Sequence, residues 1–297
     1  MRTLCFWICL ALSLSAHAKV KVVATVSDLG AIAREVGGAE VDVQLLAAPT
    51  QDPHFVDAKP SLVLLLSRAD LLLLNGMELE VGWLPTLITS SRNQKVQRGA
   101  PGYLDGSTLV TAKEIPPGKL DRAMGDIHPG GNPHYTKDPA NAVALARGIA
   151  QRLGQLDPPH AQDYQQRADA FAAQTQQKVA AWKQALAPYK GTPVVPYHRS
   201  WIYFTEFAGL EEVAFVEPKP GIPPSSAHVA AVLGVIRRRG AKVLLQEEWY
   251  PAGTSELLAR TSGARLVRVP GMTPVGATYL GYFDQLVTAT VNALAPR

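Results

Sequence analysis

The sequence predicts an α/β protein made of two lobes, each on a mostly parallel sheet, joined by one long helix. Three observations predict it. Residues 69–75 (ADLLLLN) are apolar on both faces, as a strand covered from two sides must be. Helical patterns alternate with such strands in both halves of the chain, the signature of parallel sheets with helices on their faces. Between the halves, residues 160–187 run for 28 positions without a glycine or proline.

In chain order, residues 19–26 (KVKVVATV) alternate and then become continuously apolar, which reads as a strand. Ser27-Asp28 are placed to cap a helix running through Leu29, Ile32, Ala33 and Val36 to Gly37-Gly38. Residues 41–46 read as a strand, 60–68 as a helix with Pro60 in its first turn, and 69–75 as the doubly covered strand. Residues 139–156 place Val143, Ala146, Ile149, Ala150 and Leu153 at helical spacing. After Asp157-Pro158-Pro159, a second helical pattern passes through Tyr164, Ala168, Phe171, Thr175, Val179, Trp182 and Leu186. At 1.5 Å per residue it would make a helix ~40 Å long, enough to join two lobes. The strand and helix rhythm then restarts, with strands over 193–197, 212–216, 242–246 and 265–269 and helices over 228–239 and 255–262.

Residues 1–18 have a different character. Arg2, an apolar run over 4–14 interrupted by one serine, and Ala16-His17-Ala18 match a secretory leader with a small-x-small cleavage site. A membrane span needs ~20 apolar residues, so this run is too short for an anchor, and the mature chain is expected to start at Lys19. Both cysteines, Cys5 and Cys9, fall in the leader, which rules out a disulfide or thiolate site in the mature chain. Without Arg2 there remain 28 basic residues against 25 acidic ones, with 18% charged residues overall and no basic run. That is no footprint for a nucleic acid. The expected division is a leader over 1–18, an N-terminal α/β lobe over 19–138, a helical segment over 139–188 and a C-terminal α/β lobe over 189–297.

Three histidines carry the functional signal. His54, His134 and His198 lie 80 and 64 residues apart, each within two positions of a proline. This spacing is wrong for a zinc finger and right for an ion site assembled from distant loops, since zinc takes imidazole nitrogen readily. Taken singly, a histidine is more often an ordinary surface or core residue than a ligand. His160 and His228 have nothing beyond that and are expected on exposed helix positions.

Several short motifs occur together in a telling order. They are Thr25-Val26-Ser27-Asp28-Leu29, Asp52-Pro53-His54, Ala69-Asp70-Leu71 before Asn75-Gly76-Met77-Glu78-Leu79-Glu80, Gly131-Asn132-Pro133-His134 leading to Asp138-Pro139, and Tyr197-His198-Arg199-Ser200-Trp201 with Tyr203-Phe204. Through them the chain resembles, over its mature length, the periplasmic solute-binding components of zinc and manganese ABC importers, the cluster A-I group. The resemblance implies two Rossmann-like lobes bridged by a rigid helix, with the metal in the cleft between them, and places its histidine ligands on His54, His134 and His198. Manganese-selective relatives often carry a carboxylate at the third position, so His198 points to zinc rather than manganese.

The fourth position departs from that pattern. The family keeps an Asp in an Asp-Pro turn after the last strand of the second lobe, and here the stretch reads Val267-Arg268-Val269-Pro270-Gly271-Met272. Glu247, at a strand end where the family also keeps a Glu, is the expected fourth ligand, with His128 or a water as alternatives. Asp52 and Asp138 fit better as partners of a histidine or as helix caps than as ligands. Trp201, Tyr203, Phe204 and Phe207 are expected to pack the second lobe, with Trp201 bordering the cleft. Residues 217–224 (EPKPGIPP) are stiff by composition and expected at the surface.

The expectation is therefore a monomeric, non-enzymatic periplasmic carrier that captures a divalent ion and docks on a membrane permease. A secreted zinc hydrolase is the rival from another class, weakened by the lack of a His-Glu-x-x-His helix. A third reading is a receptor for a chelated metal, in which the histidines are incidental.

Overall fold

The computed structural model describes residues 18–118, 125 and 128–296. The expected leader, with Cys5 and Cys9, lies outside the described residues apart from Ala18, as do Asp126 and Ile127, just before His128. Two four-stranded parallel sheets organise the chain. The first holds β1 (Val20–Ala24), β2 (Val41–Leu45), β3 (Leu71–Leu74) and β4 (Tyr103–Asp105) in the order β2-β1-β3-β4. The second holds β5 (Pro193–Pro196), β6 (Glu211–Glu212), β7 (Val243–Glu247) and β8 (Arg265–Val269) in the same order, β6-β5-β7-β8. In each lobe the strand order reverses beside the first strand, and loops leaving the carboxyl ends there form the crevice where ligands bind.

The helices are α1 (Ser27–Gly37), α2 (Pro60–Ser67), α3 (Leu84–Ser91), α4 (Pro139–Leu156), α5 (Ala161–Leu186), α6 (Ile202–Ala208), α7 (Ser226–Arg239), α8 (Gly253–Ser262) and α9 (Tyr279–Leu294). The doubly apolar strands follow from how they are covered. Leu71 and Leu73 of β3 join a central core with α1, α4 and α5, while Leu72 and Leu74 face the opposite layer containing Leu66, Leu84 and Leu87. In the second lobe, Val243 and Leu245 of β7 face the central core, and Leu244 faces Val232, Ile236 and Leu258. Each such side chain contributes about 1.5–3 kcal/mol by leaving water.

The central core is continuous through both lobes, and α5 runs along it. This 26-residue helix packs on α1 and α4 of the first lobe and on α6 and α9 of the second. The Trp182 ring packs tilted against that of Phe283 on α9, centroids 4.6 Å apart, and the Phe171 ring sits 6.1 Å from that of Tyr279. Buried polar bonds complete the seam. Asp28 on α1 accepts from the Thr273 amide and hydroxyl of the second lobe, both at 2.7 Å, and from the Thr136 hydroxyl at 2.7 Å. Asn132 donates to the Arg199 carbonyl at 2.6 Å, and the Tyr203 hydroxyl donates to the Asn132 carbonyl at 3.0 Å.

Some elements differ from the sequence expectation. The helix α1 starts at Ser27 with no side-chain cap, because Asp28 turns inward to the seam instead of back onto its own helix. β6 is two residues long; the chain beyond it still bonds β5 through Val213 and Val216 amides but leaves regular pairing. The elements α3, β4, α6 and α9 carry no clear sequence signal. α9 in particular holds Gly281, Val287, Thr290 and Val291, residues that favour strands or breaks, and becomes a helix because its apolar side covers the second sheet.

Replacing Asp28 by Ala would leave the Thr273 amide and two hydroxyls unpaired in the dry seam. The expected loss is about 3 kcal/mol of unfolding free energy, read from urea denaturation. A midpoint unchanged from wild type would contradict the role given to this carboxylate.

Candidate metal centre

The carboxyl ends of both sheets face one crevice, and the three histidines stand in it. His54 lies in the loop after β2, where Trp83 Nε1 donates to the Pro53 carbonyl at 2.9 Å and fixes the turn. His134 lies between β4 and α4, its amide donating to Asn132 Oδ1 at 3.0 Å. His198 follows β5 by two residues. One ligand nitrogen from each comes within 4.8 Å of the others, and among the described residues this is the group able to hold a metal ion. Ring centroids are 5.3 Å apart for His54 and His134, and 5.4 Å for His198 with either.

The rings are oriented by carboxylates. His54 Nδ1 is 2.7 Å from Asp52 Oδ1, which also accepts the His54 amide. His198 Nδ1 is 2.7 Å from Glu217 Oε2, both residues buried. An Nδ1–H donated to a carboxylate leaves Nε2 as the lone-pair nitrogen and raises its basicity. Burial pushes the Asp52 carboxyl up, but its bonds with His54 and the nearby imidazoles outweigh that and bring it below the usual range. His134 Nε2 is buried with no hydrogen-bond partner. Burial first, then the charge of Lys137 and the neighbouring imidazoles, hold the pKa of His134 well below 6.5, so the ring is neutral at neutral pH. A neutral, desolvated, unpartnered ring nitrogen is what a cation site requires.

His128 stands beside this group, its Nε2 3.3 Å from His54 Nε2. Burial and the adjacent His54 and His198 press its pKa down to about 3. Glu247 is placed differently from the sequence expectation. It is fully buried at the end of β7, outside the three-histidine group. Ser200 Oγ donates to its Oε1, Trp201 Nε1 donates to Oε2 at 3.2 Å, and Lys137 Nζ lies 3.5 Å from Oε1. Lys137 also donates to the Gly271 carbonyl, in the turn where the family pattern would have an Asp.

Asp138 caps α4 by accepting from the Ala140 amide. His160 and His228 are half-buried rather than exposed, tied to Asp157 and to the Phe215 carbonyl. Glu217 is the residue that sequence reasoning misplaced: it opens the stiff segment yet is buried against His198. Its signal was positional. β5 and β6 run parallel, so the residues following them, His198 and Glu217, emerge side by side, and the Glu217 amide bonds the Tyr197 carbonyl at 2.9 Å. Tyr250, stacked 4.6 Å from Tyr197 with its ring 5.7 Å from that of His198, was also missed.

A family model described as ZnuA, zinc-uptake complex component A, periplasmic, matches residues 22–293. The chain is similar to the high-affinity zinc uptake system protein ZnuA of Paracoccus denitrificans (strain Pd 1222), 29% identical over 266 residues that cover 77% of this chain and 76% of that one. It is also similar to the zinc-binding lipoprotein AdcA of Streptococcus pneumoniae (strain ATCC BAA-255 / R6), 23% identical over 251 residues. That match covers 84% of this chain but only 49% of AdcA, so the chain spans about half of that relative. Among solved structures, the solute-binding protein FpvC of Pseudomonas aeruginosa, in complex with Mn2+, shares the fold with a TM-score of 0.76 at 21% identity, covering 93% of this chain and 98% of FpvC.

Behind the site, Glu80 holds the loop after β3. Its carboxylate accepts from the Asn75 amide at 2.7 Å, the Gly76 amide at 3.1 Å and the Thr25 hydroxyl at 2.5 Å. Gly76 is required there: its φ is +82°, and a Cβ would meet Asp105 Oδ1 at 2.0 Å. Burial raises the Glu80 carboxyl to about 7 from 4.5, against the pull of these three donors. A raised folded pKa means that its contribution to stability is complete below about 4.5 and is lost as pH rises through about 7. With metal chelated, wild type is expected to lose stability relative to Glu80→Gln between pH 5 and pH 8, on the order of 3 kcal/mol. Urea denaturation of both proteins at the two pH values checks this, and a gap that does not change with pH would refute it.

Proposed function

The chain belongs to the zinc-uptake complex component A family of periplasmic proteins, and we propose that it captures zinc between its lobes on His54, His134 and His198. It is a solute-binding protein and not an enzyme, and it delivers its ion to the permease of an ABC importer. The hydrolase and chelate-receptor readings find no support in this family. Among the described residues no helix is long and apolar enough to cross a membrane. We read residues 1–18 as the leader that directs export.

One observation carries the proposal: nitrogens from three loops, 80 and 64 residues apart in sequence, lie within 4.8 Å of one another, one of them buried and unpartnered. The chemistry follows from the surroundings. Nitrogen donors suit zinc, whereas manganese prefers carboxylate, carbonyl and water oxygen. Asp52 and Glu217 do not supply donors to the ion in this reading. They fix the tautomers of His54 and His198 and place two negative charges just outside the imidazoles, which offset the charge of a divalent cation. Glu247 acts through Ser200, Trp201 and Lys137 to hold the second lobe's side of the crevice.

Two outcomes are expected. Replacing His134 by Ala should abolish stoichiometric zinc on protein purified without chelator, and wild type dialysed against equimolar zinc and manganese should retain zinc, both read by elemental analysis. Full occupancy in the variant would overturn the site assignment, and retained manganese would overturn the choice of ion. Separately, Glu217→Gln should keep all three imidazoles but weaken zinc about 10–100-fold, measured by competition with a chromogenic chelator. Unchanged affinity would show that the Glu217 contact does not tune His198.

A further inference from the structure

The crevice uses the carboxyl ends of the second sheet, and the amino ends of the same strands form an edge that plays no part in holding the ion. We propose that this edge is a basic surface that adsorbs the protein to anionic lipid headgroups while the crevice, at the other end of the strands, stays open. The inference does not depend on which residues hold the ion.

The fold gathers the charge from separate elements. Lys190 stands before β5, where the Gly191 amide bonds the Gly209 carbonyl at 2.6 Å and joins the approaches to β5 and β6. Arg237, Arg238 and Arg239 close α7. Arg239 pairs with Glu211 of β6 at 2.7 Å, and Arg237 donates to the Thr261 carbonyl at 3.3 Å, beside Arg260 in the last turn of α8. Lys242 precedes β7, and its carbonyl accepts from the amide of Arg265, the first residue of β8, at 2.8 Å. Lys190, Arg260, Lys242 and the three arginines of α7 are all exposed. Against these six cations stand Glu211 and Glu256, which leaves an excess of four positive charges among the described residues. The whole mature chain has an excess of only three, 28 basic residues against 25 acidic ones. Its basic character is therefore concentrated on this edge. The matching edge of the first lobe is mixed, with Glu40, Asp42 and Asp70 at the starts of β2 and β3.

Folding accounts for part of this charge. Arg265 serves the fold, donating to the carbonyls of Asn292, Ala293 and Ala295 at the end of α9. A cation in a last helical turn also offsets the helix macrodipole, as Arg260 does on α8. Yet α7 ends in three, and the side chains of Lys190, Arg238 and Lys242 make no hydrogen bond or ion pair among the described residues. Like charges crowded on one edge repel one another, so the fold alone gives no reason to collect them. They are spread along strand starts and helix ends rather than aimed at one point, which suits an extended anionic surface better than a single phosphate. A periplasmic protein that serves a membrane importer works beside such a surface. Negative headgroups attract basic residues that come within a Debye length, ~8–10 Å.

The test is co-sedimentation of the chain beginning at Lys19 with vesicles of phosphatidylethanolamine and phosphatidylglycerol, about 3 to 1, and with vesicles of phosphatidylcholine alone. The protein should pellet with the anionic vesicles only, and raising the salt should release it. Arg238→Glu combined with Lys242→Glu should lower the partition coefficient at least about tenfold. Arg68→Glu combined with Arg98→Glu makes the same change in net charge at exposed positions of the first lobe and should keep most of the binding. Zinc-loaded and chelated protein should adsorb alike. No adsorption by wild type, equal pelleting with neutral vesicles, or equal loss in the two double variants overturns the proposal. So does release by inorganic phosphate beyond that by chloride at the same ionic strength, which would mark a phosphate site. Adsorption by only the zinc-loaded or only the chelated form would tie the surface to the crevice and overturn it as well.

Discussion

The site depends on the seam between the lobes. No single element could bring His54, His134 and His198 together, since each leaves a different strand end. What fixes their separation is that both sheets share one apolar core, threaded by α5. Close packing of that kind resists small displacements, because shifting a packed helix opens voids that cost contacts on every side. The buried bonds of Asp28 to Thr273, with Thr136 of its own lobe holding the other carboxylate oxygen, then set the register of one lobe on the other. The ring spacings at the crevice, all near 5.3–5.4 Å, are the consequence at the far end of this scaffold.

Electrostatics at the site follows a division of labour that the scaffold makes possible. Imidazoles face the crevice and carboxylates stand behind them. An ionised Asp52 or Glu217 pointing into the crevice would have favoured harder cations and invited water. Behind the rings, each orients a nitrogen and still contributes field. Lys137 shows the same logic in reverse. Its ammonium, 4% exposed and next to the ligand loop, would repel a cation, but it is turned away from the crevice to Glu247, the Gly271 carbonyl and the face of Trp201. That arrangement occupies the turn after β8, where the resemblance had led one to expect a carboxylate, and leaves the nitrogen donors to define the site.

Much of this was legible in the sequence, and the misses have physical causes. The doubly apolar run at 71–74 and the 26-residue helix α5 announced themselves because their patterns are dictated by burial on known faces. The start of α4 was readable from Asp138-Pro139, a cap followed by a residue that suits the first helical turn. The histidine trio was readable from spacing and motif context. Asp28 and Glu217 were not, because their partners lie 245 and 19 residues away and are chosen by the tertiary fold. An acidic residue at a strand or helix start looks the same in sequence whether it caps its own helix, meets solvent or crosses a lobe seam. Glu247 shows the converse difficulty: position at a strand end is shared by ligands and by residues that hold ligand-bearing loops.

The seam also determines how firmly each histidine of the crevice is held. His134 is flanked by residues committed to the interface: Asn132 bonds Arg199 and Lys137 bonds Gly271 across the lobes, and Thr136 bonds Asp28, which itself bonds Thr273 of the second lobe. Moving that ring means breaking several buried bonds at once. The turn carrying His54 is tied more lightly, by Trp83 to the Pro53 carbonyl and by Gln51 to the carbonyl of the exposed Phe55. His128 is held by a two-glycine turn, in which the Gly131 amide donates to its carbonyl at 3.1 Å. The crevice thus has one rigid wall, built from the lobe seam, and one wall of local turns.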